Sequence, residues 1–492
     1  MGSYIVWAVG ALSALSAKLI STRGDPVANH LGPLLSPEAQ IYFPGTEGFK
    51  NASVRWSSAI RPQFKAIVKV TTEEDVKNVV QFANEHNHDF LAFNGGHGTT
   101  YHLSKVKNGI GIQMAGMKGI KIVDDGKAAL VQGGVQTGEL GPYLWSNGKQ
   151  TVTTGCDCAG FISPLLGGGH GWLQGRYGLV ADQLISARMI TANATAITVS
   201  REEHPDLFWG IRGAGHNFGI FTEMKIKIYD RSPEQDQWAA LGLTFTHDKL
   251  EQVFGITNEW ITSKNRPVEL THYGVVLNIP DIDPDHPVII LWIYYQGASI
   301  PDLYTSPLRA LGPIAEDYSV TNLADVNTHL SAHYGGLACA TGFSRILFPV
   351  SLDTWPLANL RSATEQLGNL SSDFASSMLM LESYATNAVG QFPSADSAFP
   401  DRGGQLLAGL LLTYPDDERL DAQGATIGRE MRETLVKGTG KELVTYVNYA
   451  AGDESLESIY GYEAWRLEKL KGLKREWDPR ERFSFYAPIP VV

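Results

Sequence analysis

Cysteine is scarce: the 492 residues hold three, Cys156, Cys158 and Cys339. That number cannot build a disulfide-framed fold, and an odd count in a secreted chain leaves at least one thiol without a sulfur partner. Zinc is not served either, because Cys156-x-Cys158 has no further Cys or His at metal-site spacing and Cys339 stands alone; no metal is expected. A covalent partner other than sulfur is therefore open to the spare thiol. Positive charge is also short, with 40 Lys+Arg against 52 Asp+Glu, a net charge of −12. Without a basic block beyond a short run near the C-terminus, nucleic acid is excluded as a partner. The sequence contains no G-x-x-x-x-G-K-[ST] and no G-x-S-x-G. Nor does G-x-G-x-x-G follow its first strand, and Gly213-x-Gly215 lacks the third glycine, which excludes a Rossmann dehydrogenase. Beyond the N-terminus no apolar run approaches the roughly 20 residues a bilayer span needs, and no internal repeat is visible.

What is present is an ordinary globular composition, 43% hydrophobic and 19% charged, long enough for two or three domains. Residues 1–17 (MGSYIVWAVGALSALSA) are apolar and end in small residues. They predict a secretory signal cleaved near Ser16 or Ala17, hence a secreted protein. No Lys or Arg precedes the run, so the same residues would also serve as an N-terminal helix of a cytoplasmic one. Asn51-Ala-Ser, Asn193-Ala-Thr and Asn369-Leu-Ser are sequons of a glycoprotein.

Glycine is concentrated between Thr153 and Gly178, where it fills eight of 26 positions alongside two of the three cysteines. Glycine costs a helix or strand about 0.5–1 kcal/mol per position relative to alanine, so such density needs a reason. Close approach of backbone to a flat or anionic group supplies one. The loop Phe93-Asn-Gly-Gly-His-Gly98 has the same character, and the two together suggest a phosphate-bearing cofactor.

Around these loops the pattern is that of an α+β protein. Residues 66–70 read as a strand, Thr71 or Thr72 caps a helix with Val76, Val79, Val80 and Ala83 inward, and residues 90–93 read as the strand delivering Gly95-Gly96. Short strands follow at 109–113, 119–123 and 128–133, a helix at 138–148, a hairpin at 184–192 and 196–200, and a strand at 221–229. Character changes near Asp230. From there to about 438 strands at 270–277, 288–295 and 406–414 alternate with helices at 250–263 and 354–367. A tail helix at 460–476 carries Tyr462, Trp465, Leu470 and Leu473 inward.

The set of motifs resembles the berberine-bridge-enzyme-like oxidases of the vanillyl-alcohol-oxidase superfamily. The resemblance rests on Asn94-Gly-Gly-His-Gly98, Gly155-Cys-Asp-Cys-Ala-Gly160, Gly167-Gly-Gly-His-Gly171, Asp206 through Gly219, and Tyr446-Val-Asn-Tyr449. It implies a PCMH-type FAD-binding domain in two subdomains (31–230), a substrate domain whose antiparallel sheet is covered by helices (231–440), and a C-terminal segment (441–492) returning to the first. It also implies FAD bound covalently twice, through His97 and Cys156. Gly95, Gly96 and Gly98 would cradle the pyrophosphate, with Asn94 and Thr99 also in the cofactor site. Gly167, Gly168 and Gly169 would let the chain pass close to the cofactor, and Asn217 and Phe218 would stand in the adenine-side wall. Gly155, Gly160, Gly171, Gly219 and Ile220 would also belong to the cofactor site. Cys158 falls in the motif's variable interior and reads as a packing residue.

Imidazole and thiolate are soft nucleophiles able to add to an oxidised flavin. On the substrate side the resemblance points to Tyr446, Asn448 and Tyr449, with a phenol of lowered pKa as proton acceptor and Tyr446 ranked first. Some relatives carry a glutamate base on the late strand facing the flavin. Here residues 406–412 (LLAGLLL) have no ionisable side chain, leaving Glu382, Tyr273, Tyr294, His272 and His333 as polar candidates. The implied reaction is hydride transfer from a hydrophobic small molecule to flavin, with O2 regenerating the cofactor and releasing H2O2. Oligosaccharide oxidation, non-redox cyclisation and flavin binding without turnover remain alternatives.

Overall fold

The computed structural model describes residues 25–403 and 406–492, so the predicted signal at 1–17 lies outside the described residues. The first sheet joins β1 (Gln40–Tyr42), β2 (Phe64–Lys69), β3 (Phe90–Phe93) and β4 (Gly109–Gln113) in the order β1-β2-β4-β3. Strands β2, β4 and β3 run parallel, and β1 is antiparallel to β2. Parallel neighbours need a crossover, and the helix Glu73–Glu85 provides the one from β2 to β3. It starts where the sequence says: Thr72 Oγ1 accepts from the Asp75 N–H and the Asp75 carboxylate accepts from the Thr72 N–H. Val76, Val79, Val80 and Ala83 are buried against the sheet.

The second sheet is antiparallel. It contains β5 (Ile120–Val123), β6 (Ala128–Gln132), β8 (Leu184–Ile190), β9 (Ala196–Ser200) and β10 (Ile220–Lys227), ordered β5-β6-β10-β8-β9. A two-residue β7 (Lys149–Gln150) pairs with β11 (Tyr229–Asp230).

Seven antiparallel strands form the third sheet: β12 (Trp238–Phe245), β13 (Leu270–Leu277), β14 (Val288–Gln296), β15 (Ala315–Thr321), β16 (Ser344–Leu352), β17 (Met378–Ser383) and β18 (Leu406–Tyr414). Their order is β15-β12-β14-β13-β17-β18-β16. Helices Leu250–Thr262, Leu357–Gly368 and Asp421–Val436 cover one face through Phe254, Leu360, Met431 and Leu435. Residues directly opposite one another across strands share a face. Tyr273 pairs with both Trp292 and Glu382, and Glu382 pairs with Leu407. That row belongs to the face turned away from the helices, toward the glycine-rich loops.

Buried charge joins the parts. Arg402 donates to both carboxylate oxygens of Asp182, at 2.7 and 3.0 Å, with both side chains nearly inaccessible. The C-terminal segment runs back across the first two sheets, where Tyr460, Leu470, Ala487 and Ile489 enter the same core as Phe161 and Phe208. Lys474, fully buried, donates to Asp478 and to the backbone carbonyls of Asn217 and Phe483. The tail helix differs from expectation. It spans Ala464–Trp477, because Gly461 at φ +100° ends a short helix Leu456–Tyr460 and resets the phase. Leu470 and Leu473 point inward, whereas Tyr462 and Trp465 remain 47% and 44% exposed.

Candidate active site

Two loops from different parts of the chain meet at one point. The loop after β3 carries His97, and the loop before helix Ile162–Leu166 carries Cys156. A His97 ring nitrogen, Cys156 Sγ and Cys158 Sγ all lie within 4.8 Å of one another. Glycine makes the approach possible: a Cβ on Gly95 would stand 2.3 Å from the Cys158 carbonyl oxygen, and Gly96 turns the chain at φ +69° beside Arg55. Gln136 Nε2, at the start of the helix Thr137–Ser146, also donates to the Cys158 carbonyl and fixes the cysteine loop. The His97 ring stacks on Trp56, centroids 5.0 Å apart.

Electrostatics keep both nucleophiles uncharged at rest. Burial, then the cations of Arg55 and Arg345, push His97 down to about 3. Burial pushes the Cys156 thiol up to about 11, against the N–H groups of Cys158 and Ala159 that favour its thiolate. A neutral imidazole keeps a lone pair free on one ring nitrogen, as a nucleophile needs.

From this point a groove runs between the first sheet and the C-terminal segment. Its walls include Asn94, Gly98, Gly160, His216, Ile220 and Tyr486. Two polar atoms in those walls are buried with no protein partner, Arg55 Nε and His216 Nδ1. A buried donor or acceptor left unpaired costs about 1–3 kcal/mol, so a ligand with its own polar groups fits this wall better than an apolar one. His97 and Cys156 at one end and orphaned polar atoms along the sides suit a flavin nucleotide.

Beyond the His97–Cys156 pair, under the third sheet, lies a cluster of tyrosines around one carboxyl. Glu382 is 3% exposed, and Tyr449 Oη donates to its Oε1 at 2.9 Å. Burial raises the Glu382 carboxyl to about 7, while the Tyr449 and Tyr384 hydroxyls pull in the opposite direction. Tyr384 reaches over to the cysteine loop: a Cβ on Gly155 would be 3.1 Å from its hydroxyl. Tyr446 stands edge-on to Tyr449, centroids 5.0 Å apart. Its oxygen accepts from Asn448 Nδ2 at 2.7 Å and from the His170 N–H at 3.1 Å. Asn448 is itself held by donation to the Pro164 carbonyl.

Several expectations need correction. The Tyr446 phenol is not lowered: burial raises it to about 12, outweighing the Asn448 and His170 donors. Cys158 is not a packing residue but is disulfide-bonded to Cys339 across 181 residues, leaving Cys156 as the free cysteine. The third sheet does supply a carboxyl, from β17 rather than β18, with Glu382 directly opposite Leu407. Among the other polar candidates, Tyr273 faces this cluster and feels both Glu382 and Cys156. Tyr294 packs on Trp172, and His272 on Trp260 among the covering helices.

The glycines divide. Gly95, Gly96, Gly98, Gly160 and Gly219 line the groove with Asn94 and Ile220. Gly167, Gly168, Gly169 and Gly171 do not; they admit Asn448, Phe399, Val180 and the Thr153 carbonyl, which is protein packing. Thr99 is buried, as are Asn217 and Phe218. Asn217 accepts from the Ile489 N–H and donates to Tyr460 Oη, tying down the C-terminal segment instead of lining the groove. Sequence reasoning missed Arg55, Tyr384 and Tyr486, which sit in no motif. It passed over His216, although the glycine motif around it contained the signal.

Such a groove, with a tyrosine–carboxyl cluster of the third sheet beyond its end, fits a flavoprotein of the PCMH type, and comparison with known proteins agrees. Residues 64–200 match the FAD binding domain family. The chain is 38% identical to FAD-linked oxidoreductase chry5 of Gibberella zeae over 499 residues, 97% of each chain. Among solved structures, Physcomitrella patens BBE-like 1 aligns with a TM-score of 0.79 at 21% identity, covering 94% of this chain and 98% of that one. Glucooligosaccharide oxidase from Acremonium strictum, described with a 6-S-cysteinyl, 8α-N1-histidyl FAD, aligns with a TM-score of 0.77 at 18% identity over 94% and 100%. The chain belongs to the FAD-linked oxidoreductases.

Proposed function

We propose that this FAD-linked oxidoreductase is an oxidase of a small, largely apolar hydroxyl compound, with FAD tethered through His97 and Cys156 and dioxygen as final acceptor. The observation that carries the reading is the convergence of a histidine nitrogen and a free cysteine sulfur, from separate loops, at the end of a groove and beside a buried carboxyl. Bound FAD supplies the two-electron acceptor for hydride leaving the substrate carbon. Gly95, Gly96 and Gly98 would turn backbone N–H groups toward the pyrophosphate, with Arg55 and His216 along the wall.

Proton removal falls to this chain's own residues. A general base works best with a pKa near the working pH, and Glu382 at about 7 meets that condition while Tyr446 at about 12 does not. Tyr449 is half-buried and bonded directly to the buried Glu382. A substrate hydroxyl bonded to Tyr449 Oη would pass it a proton as Tyr449 releases its own to Glu382, so no free phenolate is needed. Asn448 and the His170 N–H keep Tyr446 oriented beside this pair. Tyr273, Trp292 and Leu407 line the adjoining sheet face, which excludes water and favours an apolar substrate body. The Cys158–Cys339 disulfide suits an oxidising compartment, which supports the secretory address read from residues 1–17.

The test is substrate-dependent release of H2O2 across a panel of apolar alcohols and oligosaccharides, with loss of the flavin's visible band in the absence of oxygen. The expected result is peroxide and bleaching with an apolar hydroxyl compound. Turnover with oligosaccharides alone would contradict the substrate class, and turnover without bleaching would contradict redox chemistry.

A further inference from the structure

The segment between β15 and β16 leaves the third sheet and settles on the two loops that carry His97 and Cys156. Its grip on the cysteine loop has three parts. Cys339 is disulfide-bonded to Cys158. The Asp157 N–H donates to the Ala332 carbonyl at 2.8 Å. Asn327 Nδ2 donates to Asp157 Oδ1 at 2.6 Å, while Asn327 Oδ1 accepts from Trp172 Nε1 at 2.7 Å. Cys156 is therefore followed by two residues pinned from the same side, and its sulfur rests 3.5 Å from the bridged sulfur of Cys158.

The same segment also reaches the histidine. Trp56, which stacks on His97, donates Nε1 to the Ala338 carbonyl at 2.7 Å, and Arg345 Nη1 donates to the Trp56 carbonyl at 3.0 Å. That contact is noncovalent, and Trp56 is held as well by its own N–H on Gly96. The cysteine loop has noncovalent supports too, from Gln136 Nε2 to the Cys158 carbonyl and from the Gly138 and Thr137 N–H groups to the Asp157 and Ala159 carbonyls, but the disulfide is its one covalent anchor to the segment above it. Its thiol is held above its ordinary value and reacts only from a fixed position against the ring.

We propose that the Cys158–Cys339 disulfide is the positioning element for flavin attachment at Cys156, acting selectively on the cysteinyl bond and not on the histidyl one. This rests on the two-bond tether proposed above. The crosslink does not take part in the reaction: the S–S bond is unchanged while Cys156 Sγ loses its proton and bonds to a flavin ring carbon. That carbon gives up its hydrogen as a proton, and the two electrons left on the flavin pass to dioxygen, the acceptor proposed above, giving H2O2. Its part is to hold the loop so that one thiol, and not the neighbour in contact with it, faces the cofactor. Displacing a reacting group by about 1 Å costs on the order of 100-fold in rate.

The test compares wild type, Cys339→Ser and the double variant Cys158→Ala/Cys339→Ala, each produced with FAD. Peptides containing position 97 and position 156 are quantified separately for bound flavin as a function of time. The expected result is an about 100-fold slower appearance of flavin on the Cys156 peptide in both variants, with the His97 peptide loaded as in wild type. The histidyl bond is the internal control for folding and FAD binding. The double variant removes the thiol that Cys339→Ser would free at position 158. Wild-type loading of Cys156 in either variant would overturn the proposal, as would equal loss at both positions. A wild-type chain with flavin on His97 alone would instead refute the two-bond reading itself, and this proposal with it.

Discussion

Glu382→Gln is expected to lower kcat/KM by about a thousandfold, the usual weight of a positioned general base, and yet to stabilise the fold above neutral pH. The two effects share a cause. The folded chain holds the Glu382 proton to about pH 7, whereas a free glutamate releases it near 4.5. Between those values the folded state binds more protons than the unfolded state, so stability falls as pH rises, by about 3 kcal/mol once the carboxyl is fully ionised. Glutamine carries no such penalty. The variant should therefore unfold at a higher temperature than wild type at pH 8 and at the same temperature near pH 4. In wild type, kcat/KM should rise with pH through about 7 as the base ionises. Tyr449→Phe removes a hydroxyl that holds the carboxyl down, so the residual activity should show its midpoint at higher pH. Wild-type turnover in Glu382→Gln, or a pH midpoint unmoved in Tyr449→Phe, would remove Glu382 from the proton path.

His97→Ala/Cys156→Ala is expected to abolish acid-stable flavin completely, while each single variant keeps it through the remaining bond. The proposed two-bond tether implies this pattern, with the two nucleophilic atoms within 4.8 Å of one another on separate loops. Neither substitution removes what shapes the other loop: Gly95 and Gly96 turn the histidine loop, and Gln136, Asp157 and Cys158 hold the cysteine loop. Binding of FAD as such should survive in the double variant, since the groove keeps every wall residue from Asn94 to Tyr486 except His97. Acid precipitation followed by absorbance of pellet and supernatant reads the result. Flavin retained in the pellet of the double variant would mean that a different residue makes the bond.

The loops that build the cofactor end were legible because glycine is expensive and rarely crowds without cause. Gly95 and Gly96 show the reason directly, one by close approach and one by positive φ. The same density misled at Gly167–Gly171, where the close neighbours are Asn448, Phe399 and a backbone carbonyl; composition does not say whether a bare backbone meets a ligand or another chain segment. Glu382 was visible only as one acid in a mostly apolar strand. Its meaning depends on β17 lying between β13 and β18, a pairing across long sequence separations that no local pattern encodes. The disulfide was hidden for the same reason, with 181 residues between its cysteines. Tyr462 and Trp465 were misplaced by one left-handed glycine that interrupts an otherwise helical spacing.

Peptide mapping of the wild-type protein after acid denaturation tests the central claim most directly. The two-bond account predicts flavin on the peptide containing His97 and on the peptide containing Cys156, with Cys158 and Cys339 recovered as a disulfide. Flavin that washes away from both peptides, or Cys156 recovered as a free thiol in a yellow pellet, would contradict it.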